Sequence, residues 1–219
     1  MSIADKLALA QEICGHEFTD VQLLRSAITH PSAVEGEPVS ASYERLEFLG
    51  DSILGSIVAL SLFKTYGAFD EGKLTRLKVS LVSGATLSEV GLELGIDKIS
   101  ILGASEQGTG ARGMHSALEN VYEALIGALY LDGGWDVAEA FITRTLKPHL
   151  ADERAEHPSK PKSYLQECVQ SDRMDPPDGI RRGRGTGSST KEAEAAAALD
   201  ALERMGYTTN GVILKKKLG

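Results

Sequence analysis

The chain has 219 residues, of which 42% are hydrophobic and only 5% are aromatic. Its 23 Lys and Arg and 31 Asp and Glu give a net charge of −8, which argues against a simple electrostatic nucleic-acid binder because such proteins are usually basic. Two cysteines exclude a disulfide framework and a four-cysteine zinc site, and they favour a cytoplasmic protein. We expect no membrane association, since the longest nearly apolar run, 53–63, is shorter than the roughly 20 residues that span a bilayer.

Apolar residues recur with helical spacing along nearly the whole chain. The pattern predicts helices over these ranges: 3–13, 20–29, 43–66, 70–82, 85–94, 116–131, 136–146, 162–170 and 189–205. Gly15 ends the first helix, Thr19 caps the second, and a glycine-rich loop is predicted over 103–113. Before residue 158 no alternating run is long enough for a sheet, so the first domain is predicted to be all-α.

The charge is divided unevenly along the chain. Residues 1–157 carry a net charge of −11 and residues 158–219 a net charge of +3. A proline-containing polar run lies where the sign changes, and such a run is typical of a linker. We therefore predict a first domain over 1–157, a shorter segment over 158–207 and a basic tail over 208–219.

Three carboxylates share one face of the helix predicted over 43–66. At 100° per residue, Glu44, Glu47 and Asp51 fall within a stripe about 60° wide. The plain interpretation is the solvated face of an amphipathic helix. Against it, apolar residues continue the stripe, which predicts a helix buried almost all round. Gly50 and Gly55 each cost about 1 kcal/mol in a helix interior, and their presence predicts a close approach to the backbone there.

A fourth carboxylate, Glu123, lies within an apolar run of the helix predicted over 116–131. A buried carboxylate without a partner costs several kcal/mol or becomes protonated. Converging carboxylates with few basic neighbours in sequence predict a hard cation, Mg²⁺ or Mn²⁺ in its place, which suits phosphoryl chemistry. Glu119 has capping-box spacing from Ser116, so we interpret it as closing the start of this helix, with a ligand role as the alternative.

Two motifs resemble those of the ribonuclease III family. The run ERLEFLGDSILG at 44–55 is similar to the family signature, and NVYEALIGA at 120–128 is similar to its second acidic motif. The resemblance covers about 5–150 and, more weakly, 160–205. It implies an all-α, Mg²⁺-dependent endonuclease that cleaves double-stranded RNA as a homodimer. The expected substrates are precursors of ribosomal, messenger and transfer RNA.

The resemblance also implies roles for the acidic residues. Glu47 would be a Mg²⁺ ligand, Asp51 would hold the metal and the attacking water, and Glu123 would be a direct ligand and the residue most needed for turnover. Asn120 occupies the position of a fourth ligand that is usually Asp. Its amide oxygen can coordinate Mg²⁺ but brings no charge, so we expect weaker metal binding.

Further residues receive roles on the substrate side or in the dimer. By resemblance, Glu44 is the outer acidic position with a supporting or substrate-side role, and Phe48 and Leu49 lie in the segment that packs the dimer. Arg112, in the glycine-rich loop, is a candidate contact to an RNA phosphate, with a surface loop of no such role as the alternative.

The C-terminal segment is similar to a shortened double-stranded RNA-binding domain. PKSYLQE at 161–167 and GTGSSTKEAEAAA at 185–197 resemble its first and last helices. Only residues 171–184 separate them, too few for three strands and their turns. Lys191 remains as a candidate RNA contact, but we predict that this segment lacks most of its sheet and is not a working RNA-binding domain.

The sequence also leaves two other functions open. Asn120 favours a catalytically weakened or inert homologue that acts as a double-stranded RNA-binding scaffold. The acidic surface favours, less strongly, a helical module that binds only protein partners.

Overall fold

The computed structural model describes residues 1–103, 110–150, 165, 183–204, 207–210 and 213–216. The chain forms two compact units, one of Met1–Asp70 with Lys78–Leu150 and the other of Glu71–Leu77 with Ala151–Gly219. Its described helices and strands are α1 (Ile3–Cys14), α2 (Val21–Ala27), α3 (Glu44–Thr65), α4 (Glu71–Leu81), α5 (Gly84–Glu93), α6 (Ile96–Ile99), α7 (Gly110–Leu146), α8 (Thr190–Arg204), β1 (Tyr207–Asn210) and β2 (Ile213–Lys216). In the described part of the first unit, β pairing is limited to one isolated bridge, so the predicted all-α class is confirmed.

Local capping sets the first two helices. Ser2 and Asp5 form a capping box at the start of α1, and Gly15 ends it with a φ of 67°. α2 is capped by Asp20, whose carboxylate accepts from the backbone N–H groups of Gln22 and Leu23. The prediction that Thr19 caps α2 is therefore wrong by one residue, because the Asp20 carboxylate takes those donors.

A buried carboxylate holds the turn between α1 and α2 against α7. Asp132 accepts from Nε2 of His16 at 2.7 Å and from the backbone N–H groups of Thr19 at 3.1 Å and Asp20 at 2.9 Å. These hydrogen bonds lower the pKa of Asp132, the one from Asp20 having the largest effect. Asp132 is thus an acid-sensitive structural contact of the first unit.

Among the described helices, α3 and α7 make the most extensive contact, and they form the centre of the core of the first unit. Leu54 and Ile57 of α3 and Leu125 and Ile126 of α7 are fully buried. α3 is long and apolar enough to cross a membrane by length and composition, but a soluble core helix passes the same test.

The prediction that α3 is buried almost all round is wrong. Phe48 is 79% exposed and Phe63 is 70% exposed. The apolar residues of α3 exceed what its contacts with α7 can cover, so one apolar face of this chain stays open to solvent.

The second acidic helix begins earlier than its sequence pattern predicts. α7 starts at Gly110, so the glycine-rich loop predicted over 103–113 is wrong for 110–113, while 104–109 lie outside the described residues. The predicted break between 131 and 136 is confirmed, because Gly134 leaves helical geometry with φ 80° and ψ −170°.

In the second unit, a glycine segment packs on the alanine-rich α8. A Cβ on Gly183 would collide with the backbone of Ala197, and a Cβ on Gly185 would collide with Ala197 and Ala193. The alanines of α8 therefore provide a flat surface for close backbone contact.

An antiparallel hairpin follows α8, with Tyr207 opposite Lys216 and Asn210 opposite Ile213. It lies in the range for which the sequence indicates only a basic tail, so these strands were not predicted. The predicted helix over 162–170 lies outside the described residues apart from Leu165, which is helical. The interval 171–184, on which the missing sheet was inferred, also lies outside them apart from Gly183 and Arg184.

Candidate active site

Two glycines bring the backbones of α3 and α7 together. A Cβ on Gly50 would collide with the carbonyl of Glu123, and a Cβ on Gly127 would collide with the carbonyl of Leu46. The close approach predicted at Gly50 is thus found. Gly55 differs, because a Cβ there would meet only the Lys78 side chain, at 3.5 Å. The crossing places the acidic face of α3 against the acidic face of α7.

Glu123 is the most buried carboxylate at this crossing, with 8% of its surface exposed. Burial, followed by the negative charges of Asp51, Glu119 and Glu47 in that order, raises its pKa from 4.5 to about 8. Its charged form therefore needs a cation for stability.

The other carboxylates respond to one another in the same way. Burial raises the pKa of Glu47, and the charges of Glu44, Glu119 and Asp51 add to it. Burial also raises the pKa of Glu119, followed by the charge of Asp51. Asp51 itself is exposed. The residues from α3 and α7 thus form one electrostatically coupled group, which we call the acidic cluster: Glu47, Asp51, Glu119 and Glu123.

The acidic cluster has the donor chemistry of a hard divalent cation. Its donor atoms are all carboxylate oxygens, and none of its four members forms an ion pair with another described residue. Among the described residues, no group of three His, Cys, Asp or Glu side chains lies close enough together to hold a metal ion as it stands. The carboxylates of the acidic cluster therefore lie near one another, but their oxygens do not converge on a single position. A divalent cation fits this excess of negative charge, because it would stabilise the ionised forms that burial and repulsion disfavour.

Asn120 lies beside the acidic cluster and is tied to the start of α3. Its amide Nδ2 donates to the hydroxyl of Tyr43 at 3.2 Å. Tyr43 is 4% exposed, and its ring packs edge-on against His30 at 5.5 Å between centroids. His30 caps the helical turn Pro31–Ala33 by accepting from a backbone N–H through Nδ1, which is a structural role. With Nδ2 engaged, the Asn120 oxygen is the atom left to face a cation.

Glu119 belongs to the acidic cluster, although its sequence pattern was interpreted as a helix cap. The capping-box interpretation is wrong, because α7 starts at Gly110 and Glu119 is well inside it. Its charge acts on both Glu47 and Glu123. Glu119 precedes Glu123 by four residues, and residues at that spacing lie on one helix face. This spacing could have indicated from the sequence that the two carboxylates lie together.

The remaining predicted residues lie on α3, α7 and α8. Glu44 is exposed in the first turn of α3 and accepts from the Ser42 hydroxyl at 3.2 Å. Phe48 projects from α3 with most of its ring exposed, and Leu49 is half-buried. Arg112 and Lys191 lie in the first turns of α7 and α8, but their side chains are outside the described part of the structure.

The start of α8 already has an acidic partner from the same chain. The Glu192 carboxylate accepts from the backbone N–H of Ser188 at 2.9 Å and also from its hydroxyl. These hydrogen bonds lower the pKa of Glu192, the hydroxyl having the larger effect. A phosphate approaching this helix start would meet a carboxylate there.

Comparison with known families identifies two matches. A ribonuclease-III-like family model matches residues 20–150, and a double-stranded RNA binding motif matches residues 177–205. The Ribonuclease 3 of Azorhizobium caulinodans is 34% identical over 233 residues, covering 95% of this chain and 98% of that protein. The Ribonuclease 3 of a Wolbachia from Culex pipiens is 40% identical over 165 residues, covering 74% of this chain and 71% of that protein.

Solved structures show the same architecture. A nuclease domain of ribonuclease III from Campylobacter jejuni aligns with a TM-score of 0.59 at 30% identity, covering 64% of this chain and 95% of that domain. A Dicer from Giardia intestinalis aligns with a TM-score of 0.52 at 22% identity, covering 67% of this chain and 20% of that protein, and supports the fold alone.

Proposed function

Because this chain belongs to the ribonuclease III family and is an endoribonuclease of that type, we propose that it hydrolyses double-stranded RNA with Mg²⁺ held at the acidic cluster. The observation that carries the proposal is Glu123, a buried carboxylate with a pKa raised to about 8 among three other negative charges. Mn²⁺ is the expected substitute, since it accepts the same oxygen ligands.

Each residue of the proposed site would have its own role. Glu47 and Glu123, from opposite helices, would hold the ion between α3 and α7, with Asp51 and the Asn120 oxygen completing the donor set. When bound, the divalent ion supplies activation of water and neutralisation of charge on the phosphate. Asp51 is exposed and would orient the attacking water from the solvent side. The buried Glu123 would keep its side of the site free of bulk water.

We propose a homodimer packed through Phe48 and Leu49. Phe48 is exposed and projects from the same helix as Glu47 and Asp51, so a partner there would lie next to the site. The Campylobacter jejuni nuclease domain is described as having a region involved in dimer formation. Two copies would provide two sites, each cutting one strand and leaving a staggered product.

We propose that the nuclease unit provides most of the RNA contact. The match to the RNA binding motif is confined to 177–205, and Glu192 occupies the start of α8. Arg112 and Lys191 remain proposed phosphate contacts, and Glu44 a proposed substrate-side residue. Precursors of ribosomal, messenger and transfer RNA with long stems, met in the cytoplasm, are the proposed substrates.

Cleavage of a labelled RNA duplex by the full chain, with and without Mg²⁺, tests the proposal. We expect cleavage that needs Mg²⁺, is lost in Glu123→Gln and is retained in Glu89→Gln. Glu89 is an exposed carboxylate on α5 whose charge does not contribute to the raised pKa of Glu47, Glu119 or Glu123. Binding of the duplex without cleavage in any divalent ion would instead support the inert scaffold that the neutral Asn120 favours. Neither binding nor cleavage would contradict both.

A further inference from the structure

Asn120 places an amide where the proposed metal site needs an oxygen. An asparagine side chain ends in a carbonyl oxygen, which accepts, and an NH₂ group, which donates. Only the oxygen can be a ligand to Mg²⁺ or Mn²⁺. Resting on the proposed function, we propose that the Tyr43 hydroxyl is a positioning group, which holds the amide nitrogen of Asn120 and so keeps the amide oxygen turned toward the divalent ion.

The contact between Asn120 and Tyr43 joins the two helices of the crossing. Nδ2 of Asn120 in α7 donates to the Tyr43 hydroxyl at 3.2 Å, and Tyr43 is the residue directly before α3. The Asn120 side chain is half-buried, and no donor among the described residues hydrogen-bonds to its oxygen. The nitrogen of the amide is therefore engaged, and the oxygen is available for coordination.

Both residues lie on the side of their helix that carries the acidic cluster. Asn120 precedes Glu123 by three residues on α7, a spacing that places two side chains on one helix face. Tyr43 has helical backbone angles, φ −71° and ψ −17°, and precedes Glu47 by four residues, so it begins the row that Glu47 and Asp51 continue. The available oxygen of Asn120 is thus on the face from which Glu123 also projects.

The charge of the acidic cluster opposes this orientation of the amide while no metal is bound. Carboxylates attract the partial positive charge of an NH₂ group and repel a carbonyl oxygen. In the structure, Nδ2 of Asn120 donates to Tyr43 and not to any described carboxylate. Without the hydroxyl, the amide can turn and donate to a carboxylate, and that hydrogen bond would compete with the ion for both groups.

Tyr43 is itself held firmly in place. It is 4% exposed, its backbone N–H donates to the carbonyl of Thr29 at 3.0 Å, and its ring packs edge-on against His30. Thr29 in turn forms the isolated β bridge with Ile101. A hydroxyl on a fixed ring can select one orientation of a neighbouring amide, as the outer hydrogen-bond partners of metal ligands do.

The alternative role of this hydrogen bond is to tie α3 to α7 irrespective of the ion. The two roles differ in how they depend on residue 120. A carboxylate at that position ends in two oxygens and cannot present the wrong atom, so Asn120→Asp removes the need for orientation. An orienting Tyr43 therefore matters for metal binding only while residue 120 is Asn, whereas a tying Tyr43 affects binding equally with Asn or Asp.

Titration calorimetry of the metal-free full chain with MgCl₂ and MnCl₂ separates these roles. The four proteins compared are the wild type, Tyr43→Phe, Asn120→Asp and the double variant. Tyr43→Phe keeps the buried ring and removes only the hydroxyl, and we expect it to weaken binding by about 10-fold, the lower end of what loss of an outer partner costs at metal sites. In the Asn120→Asp background the same change should alter the affinity by less than about 3-fold.

Tyr122→Phe is the matched control. It removes another buried hydroxyl of α7, one that is hydrogen-bonded to Thr145 at 2.7 Å, and it should lower the Tm in EDTA without changing the metal affinity. An unchanged affinity in Tyr43→Phe, or an equal loss with Asn and with Asp at position 120, would overturn the inference while leaving the proposed function intact. Absence of any Mg²⁺ or Mn²⁺ binding by the wild type would overturn both.

Discussion

Glu123→Gln should stabilise the metal-free protein, and increasingly so as the pH rises. Because the folded-state pKa of Glu123 is raised from 4.5 to about 8, its stabilising contribution is fully present below about pH 4.5 and is lost as the pH rises through about 8. Glutamine has the same shape but does not titrate. The variant therefore keeps the stability that the wild type loses.

The expected size follows from that rise in pKa. A rise from 4.5 to about 8 corresponds to at most about 5 kcal/mol of unfolding free energy above pH 8. Solvent near the exposed Asp51 side of the site screens part of it, so we expect about 2–3 kcal/mol. At about pH 5, half a unit above the ordinary pKa of 4.5, the difference between variant and wild type should fall to about 1 kcal/mol or less.

Urea unfolding in EDTA, followed by circular dichroism at about pH 5, 7 and 9, measures this difference. Glu89→Gln is the control and should show no comparable rise with pH. Added Mg²⁺ should stabilise the wild type and not Glu123→Gln. A variant that is less stable than the wild type at about pH 9 would refute the reasoning, because the Glu123 charge would then be stabilised by the protein itself.

Four further substitutions test the helix crossing, the turn between α1 and α2 and the proposed dimer surface. Gly50→Ala should lower the unfolding free energy by about 3 kcal/mol or more, because its Cβ would collide with a carbonyl of α7. Gly55→Ala would meet only the Lys78 side chain, at 3.5 Å, so it should leave the unfolding free energy unchanged or raise it by about 1 kcal/mol. Chemical denaturation of the two variants compares them. Asp132→Asn should cost about 2–3 kcal/mol at neutral pH, and the cost should shrink as the pH falls through the lowered pKa of Asp132, which unfolding at several pH values would show. Phe48→Glu should convert a dimer into a monomer by light scattering with the unfolding free energy changed by less than about 1 kcal/mol, and a persistent dimer would exclude Phe48 from the interface.

The main features of the site could be predicted from local rules. Glycine is costly in a helix interior, so Gly50 indicated a close backbone contact, and the structure places Glu123 there. The spacing of Glu47 and Asp51 placed them on one face of α3. These inferences worked because they depend on helix geometry and backbone sterics alone.

The misjudged parts depended on information from outside each segment. Glu119 was interpreted as a cap because the glycine-rich run before Ser116 favoured a loop, whereas α7 continues through it to Gly110. α3 was expected to be buried because it is apolar nearly all round, but one chain covers only part of it and leaves Phe48 exposed. The hairpin of β1 and β2 has strands of four residues each, too short to give a clear alternating pattern.

Anomalous diffraction from crystals of the full chain soaked with Mn²⁺ tests the central claim most directly. The account predicts a peak between α3 and α7, within coordination distance of carboxylate oxygens from Glu47 and Glu123, and its loss in Glu123→Gln. Saturating Mn²⁺ with no peak at this crossing, or a peak held only by residues elsewhere in the chain, would contradict it.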